Sequence, residues 1–138
     1  MTRARIGALA CALLVAVIAV TAGAMAQAED AKSEQQLGHM VFFTLKERND
    51  ANREKLAGLC RKYLDGHEGT VYFSVGTLAK DFDREVNDQD WDVALHLVFK
   101  NKAAHDKYQD HPRHLEFIEN GKALWGKVRV FDSYIPAK

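Results

Sequence analysis

Cysteine is nearly absent. Of the two in the chain, Cys11 lies in an apolar N-terminal run and Cys60 stands alone beyond it. One thiol cannot close an internal disulfide, so stability must come from packing and from a partner subunit rather than from cross-links. An excess of either charge is missing too: 19 Lys and Arg balance 19 Asp and Glu. Arg3 and Arg5 fall in the N-terminal run, which holds no acid, so the remainder is slightly acidic. It has no basic surplus for nucleic acid and no Lys/Arg-rich segment suited to a membrane surface. The chain also lacks a Gly-x-Ser-x-Gly element, a glycine-rich phosphate loop and an internal repeat. Nucleophilic hydrolysis and nucleotide binding therefore have no sequence support. Nothing beyond the presence of histidines points to haem.

What is present begins with a targeting pattern. Arg3 and Arg5 precede an uncharged apolar stretch, Ile6 to Val20, too short for a comfortable membrane span. Ala24-Met25-Ala26 and Ala26-Gln27-Ala28 both fit a small-x-small cleavage site. Residues 1–28 read as a secretory signal peptide, with a secreted or periplasmic product that keeps no stable membrane insertion. Ala8-Leu9-Ala10 before Cys11 is a poor lipobox, so lipidation is not expected. Residues 29–37 read as a polar, flexible leader, and 38–136 as one domain, long enough for a real core.

Within that domain, "HMVFFTLK" (39–46) is β-branched and aromatic, apolar on both faces, and reads as a strand covered on both sides. Asn49 or Asp50 caps a helix whose apolar positions Leu56, Leu59, Cys60, Tyr63 and Leu64 recur at helical spacing until Gly66. Cys60 then falls on the buried face as an inert thiol. "TVYFSVGTLA" (70–79) and "WDVALHLVF" (91–99) are further strands. The charged loop between them resembles a calcium loop only in alternation, because Val86 and Asp92 occupy the positions that need glycine and glutamate. Asn101 caps a helix to about Asp110; Pro112 opens a second helical segment to about Trp125; "VRVFDSYI" (128–135) is the last strand.

The order β-α-β-β-α-β predicts an α+β, ferredoxin-like fold: a four-stranded antiparallel sheet with helices on one face. The other face would be bare in a monomer. Pairing two such faces covers it and predicts a two-fold homodimer, a dimeric α/β barrel.

"HMVFFTLK", the aromatic-led "WDVALHLVF", "YQDHPRH" and "VFDSY", in that order, resemble the stress-responsive A/B barrel domain family from about Gly38 to Ile135. The resemblance implies a homodimeric barrel and, for most members, no fixed reaction. One member, a plant polyketide cyclase that makes olivetolic acid, uses histidine and tyrosine in a cleft between helices and sheet. Its catalytic histidine corresponds to His114, its catalytic tyrosine to Tyr108 and its first-strand pocket histidine to His39. Val93 stands where that member has a further pocket histidine.

Periodicity places His114 at the head of a stripe continued by Phe117, Ile118, Gly121 and Trp125, so its ring should face the sheet. Tyr108 follows Ala104 by one turn on an inward face. The expected site is thus His114 as base, Tyr108 as orienting group, and His39, Val93 and Phe117 on the substrate wall. Proton abstraction next to a carbonyl would be the reaction class. His111 is expected at a cap or exposed, and His67, His96 and His105 at surface or edge positions without a role. A zinc site from His39, His111 and His114 is disfavoured by the proline inside the short gap of "HPRH"; no metal and no cofactor is expected. Three functions fit: a binder of a small apolar or carbonyl-containing molecule, a cyclase- or isomerase-type enzyme, or a purely structural stress protein.

Overall fold

The computed structural model describes residues 35–136. The expected signal segment and most of the expected leader lie outside these residues. Strand β1 spans Gln36–Leu45, three residues earlier at its start than the sequence pattern suggests. Leu37 explains the difference: it is 6% exposed and joins the core, so residues 36 and 37 belong to the strand rather than to a leader.

Helix α1 spans Asp50–Leu64, and the Asn49 side chain accepts the Asn52 N–H at 2.8 Å, satisfying a first-turn donor. Leu56, Ala57, Cys60, Tyr63 and Leu64 form its buried face. Strands β2 (Thr70–Thr77) and β3 (Val93–Phe99) follow. Helix α2 (Lys102–Gln109) is capped by Asn101, which accepts the Ala104 N–H at 2.9 Å. Helix α3 (Pro112–Gly121) starts at proline, and the His111 ring accepts the Arg113 N–H at 3.1 Å as its cap. A short 3-10 turn, Lys122–Leu124, leads into β4, Trp125–Ile135.

Helix α3 therefore ends four residues before the expected Trp125, and β4 begins three before the expected 128. The cause is a close approach. A Cβ on Gly121 would sit 3.0 Å from the Trp125 ring, so the chain turns there and lays Trp125 against Phe43 and Phe117, with ring centroids 5.5 and 5.6 Å away.

The sheet order is β2-β3-β1-β4, every neighbour antiparallel, which is the ferredoxin-like arrangement expected. Val41, Phe43, Leu95 and Leu97 from the sheet share one core with Leu56, Leu64, Tyr108 and Phe117 from the helices. Cys60 is fully buried in that core, and burial pushes its thiol up to about 12, where it is inert. The opposite sheet face carries Phe42, with Trp91, His96 and Phe131 edge-on to it at 5.3 to 6.0 Å. Among the described residues no helix is long and apolar enough to cross a membrane.

Asp92 lies immediately before β3. It is fully buried and accepts the Leu45 N–H at 2.9 Å, Arg53 Nε at 3.0 Å and Arg48 Nε at 3.0 Å. Burial alone would raise its pKa; the amide and the two guanidiniums outweigh that and hold it below the ordinary value. This staple fixes the charged loop to the start of α1. In the same loop the Asp88 carboxylate and the Asp90 backbone carbonyl accept from Arg129 of β4, and the Asp90 carboxylate pairs with Arg48 and Lys127.

Candidate functional site

Alternation along β1 turns His39, Val41, Phe43 and Leu45 toward the helices, and all four are buried. From above, α2 supplies Tyr108 and α3 supplies His114. These elements enclose a cleft of about 170 Å³ lined by His39, Tyr108, His114, Phe117, Ile118 and Trp125, with Val128 and Val130 of edge strand β4 as its lip. The structure thus brings His39 together with two rings that lie 69 and 75 residues further along the chain. Tyr108 lies 4.6 Å from His114 and 6.1 Å from His39 between ring centroids.

His114 has a defined tautomer. Its Nδ1 lies 2.9 Å from the Gln109 carbonyl, which can only accept, so Nδ1 carries the proton and Nε2 keeps its lone pair. Burial lowers the His114 pKa, against a smaller opposing effect of that carbonyl, and holds the ring neutral at pH 7. His39 is likewise lowered by burial, opposed by Asp132, whose carboxylate is 2.6 Å from Nδ1. Tyr108 is 2% exposed, and burial pushes its hydroxyl well above the ordinary phenol value. Among the described residues nothing hydrogen-bonds that hydroxyl, so it is a proton donor with no protein partner. The Trp125 indole N–H, on the same cleft wall, is also buried without a partner among these residues.

Phe117 lines the cleft as expected, but Val93 does not. It is fully buried in the core, opposite Phe43 and Thr77 in the register, and does not reach the cavity. His111 caps α3 and is exposed, consistent with its reading. His67 is not a surface residue: it is 7% exposed, donates from Nε2 to the Tyr63 carbonyl at 2.8 Å, and stands edge-on to Tyr108 at 4.9 Å. His105 is not idle either. Its ring is 4.9 Å from that of His39, a neighbour that no local pattern reveals because α2 is short and its inward positions are only Ala104 and Tyr108.

A ferredoxin-like sheet with a His/Tyr cleft beneath its helices defines a small α+β domain of ferredoxin-like fold. The chain matches the family model of the Stress responsive A/B Barrel Domain over residues 37–135, and it belongs to that family. Among solved structures, a dabb family protein of ferredoxin-like fold from Mesorhizobium loti is 23% identical, with TM-score 0.61, covering 75% of this chain and 99% of its own. A hydroxynitrile lyase from Passiflora edulis is 18% identical, with TM-score 0.61, covering 76% and 97%. A dimeric ferredoxin-like protein from Thermobifida fusca is 14% identical, with TM-score 0.60, covering 73% and 92%. No curated protein matches the chain significantly.

Proposed function

We propose that this protein is a secreted or periplasmic homodimer that binds a compact apolar or carbonyl-containing molecule in the His39–Tyr108–His114 cleft. One observation carries the reading. The cleft is mostly apolar, and its few polar groups include the Tyr108 phenol and the Trp125 indole N–H as donors and the His114 imidazole with its Nε2 lone pair free, a pattern suited to orienting a small polar head on an apolar body. Its volume of about 170 Å³ lies below the ~300–1,000 Å³ of typical drug-sized pockets, which favours a small ligand. The dimer is supported by the aromatic sheet face and by the dimeric description of the Thermobifida fusca structure. Export is supported by the basic, apolar and small-x-small order of residues 1–28.

The test is a thermal-shift and calorimetric screen with small ketones, aldehydes and phenols. A ligand that prefers the native state raises the melting temperature. In Tyr108→Phe, stability should stay within about 0.5 kcal/mol of the parent, because the lost hydroxyl has no partner. Ligand affinity should fall about threefold to tenfold, the equivalent of one hydrogen bond. Unchanged affinity in both Tyr108→Phe and His114→Ala would move the binding site out of this cleft, and the absence of any binding by the parent would leave only a structural stress protein.

A second reading rests on the His114 tautomer. With Nε2 unprotonated, His114 can take a proton next to a bound carbonyl while Tyr108 donates to the developing enolate oxygen. That is the chemistry of a cyclase or isomerase, and the lyase among the similar folds is compatible with it. Exchange of α-protons of a bound ketone for solvent deuterium, followed by NMR, checks it. The exchange should be catalysed by the parent and lost in His114→Ala.

A further inference from the structure

On the far side of His39 lies a second and larger cavity, about 340 Å³, whose wall includes Leu37, Lys102, His105, Asp132 and Tyr134. His39 lines the cleft, while His105 and Asp132 line this cavity, so the three residues stand between the two spaces. Each offers one ligand atom, and the three atoms lie within 4.8 Å of one another. We propose that His39, His105 and Asp132 form a binding site for a divalent first-row transition-metal ion, represented by Zn²⁺ or Co²⁺.

Three observations support the site. First, the donors come from three elements that are fixed independently. His39 on β1 is the direct cross-strand partner of Asp132 on β4, and His105 descends on them from α2. Second, the donor types agree with the ion. Two imidazoles and one carboxylate suit zinc and its neighbours, and three protein ligands leave further positions open. Those positions would face the larger cavity, where a water or a small anion can enter. Third, the fit requires only side-chain movement, in which His105 gives up one of its present contacts, with Asp106 at Nδ1 or with Gln109 at Nε2. A tetrahedral zinc with bonds of ~2.1 Å holds its ligand atoms about 3.4 Å apart. His39 and Asp132 are now closer than that, at 2.6 Å, and share a proton that an ion would replace. The Asp132 side chain is 47% exposed and free to swing outward, whereas that of His39 is 6% exposed and held. The nearby Lys102 would oppose a cation, but Asp106 neutralises it through an ion pair.

Untagged protein, stripped with chelator and dialysed, should be titrated with Co²⁺ and with Zn²⁺ by calorimetry, together with the visible absorption of the Co²⁺ form. The expected result is saturation at one ion per protomer, a visible band that Zn²⁺ abolishes, and a raised melting temperature. His105→Gln and Asp132→Asn should each weaken binding at least about tenfold. Both residues are partly exposed, and circular dichroism verifies that the variants fold. His111→Gln, which removes an exposed histidine of α3, should bind as the parent does. Absence of saturable binding by the folded parent would overturn the proposal. So would parent-like affinity in His105→Gln, or loss of the ion in His111→Gln. Because the readout is the ion itself, failure here leaves the Tyr108–His114 reading of the cleft untouched, and failure of that reading leaves this one.

Discussion

Asp92 shows how a single side chain can be misread from its neighbours. Alternation in "WDVALHLVF" puts it opposite the apolar row, and an aspartate there suggests solvent. The structure instead buries it completely, because Leu45, Arg48 and Arg53 supply the hydrogen bonds that make an interior carboxylate tolerable. Those donors are 39 to 47 residues away, a separation no local pattern encodes. Asp92→Asn should keep the shape but remove the charge, leaving Arg53, only 12% exposed, without its buried counter-ion and with only the exposed Asp50 carboxylate beside it. A loss of about 3 kcal/mol in urea unfolding is expected, the cost of breaking one side of a buried pair. The pH dependence has a definite sign. The folded-state pKa of Asp92 is depressed, so its contribution is complete above the ordinary aspartate value of about 3.9 and disappears as pH falls through the lower folded value. Parent and Asp92→Asn stabilities should therefore converge in acid, and a gap that stayed constant from neutral pH to below pH 3 would contradict the assignment. The site histidines divide in the same way. His39 and His114 were legible because strand alternation and helix periodicity give direction. His67 and His105 were not, because the rings each one meets, Tyr108 and His39, come from other elements.

The elements were legible wherever a cap or a period marks them. Asn49, Asn101 and the His111-Pro112 pair start the helices where their chemistry requires. Boundaries moved where a distant contact decides them, as at Gly121 against Trp125 and at Leu37 in the core. The turn from α1 into β2 gives a sharp test of such a contact. Gly69 has φ +82°, in the left-handed region, and a Cβ built on it would lie 2.6 Å from the Ala104 Cβ of α2. Gly69→Ala meets two penalties together: about 1–2 kcal/mol for the backbone conformation, and a steric clash that pushes α2 away. Thermal unfolding should show a loss of more than 2 kcal/mol, roughly the sum of the backbone term and part of the clash. Since α2 carries Tyr108 and His105, the same variant should weaken binding in the cleft and at the proposed ion site. Gly58, on an open part of α1 with nothing within 4 Å, is the control: Gly58→Ala should be neutral or stabilising.

The single chain leaves an aromatic face of its sheet exposed. Its core lies between helices and sheet, yet the reverse sheet face holds Phe42 amid Trp91, His96 and Phe131, with Phe131 54% and Tyr72 53% exposed. An antiparallel sheet can leave one face to water, but such a face is normally polar. Aromatic rings there suit cover by another copy, as in the proposed dimer, where two-fold pairing would make the same patch serve both protomers. The prediction is a dimer at micromolar concentration by sedimentation equilibrium. Phe131→Glu should shift it to monomer, because the pairing brings each new carboxylate into an apolar interface, where a buried, unpaired charge costs several kcal/mol. The change lies on the side of the sheet away from the cleft, so the helical content of the monomer should persist by circular dichroism while its melting temperature falls with the lost partner. A parent that sediments as a monomer, with Phe131→Glu no different from it, would mean that this face meets water in solution and that the barrel does not form.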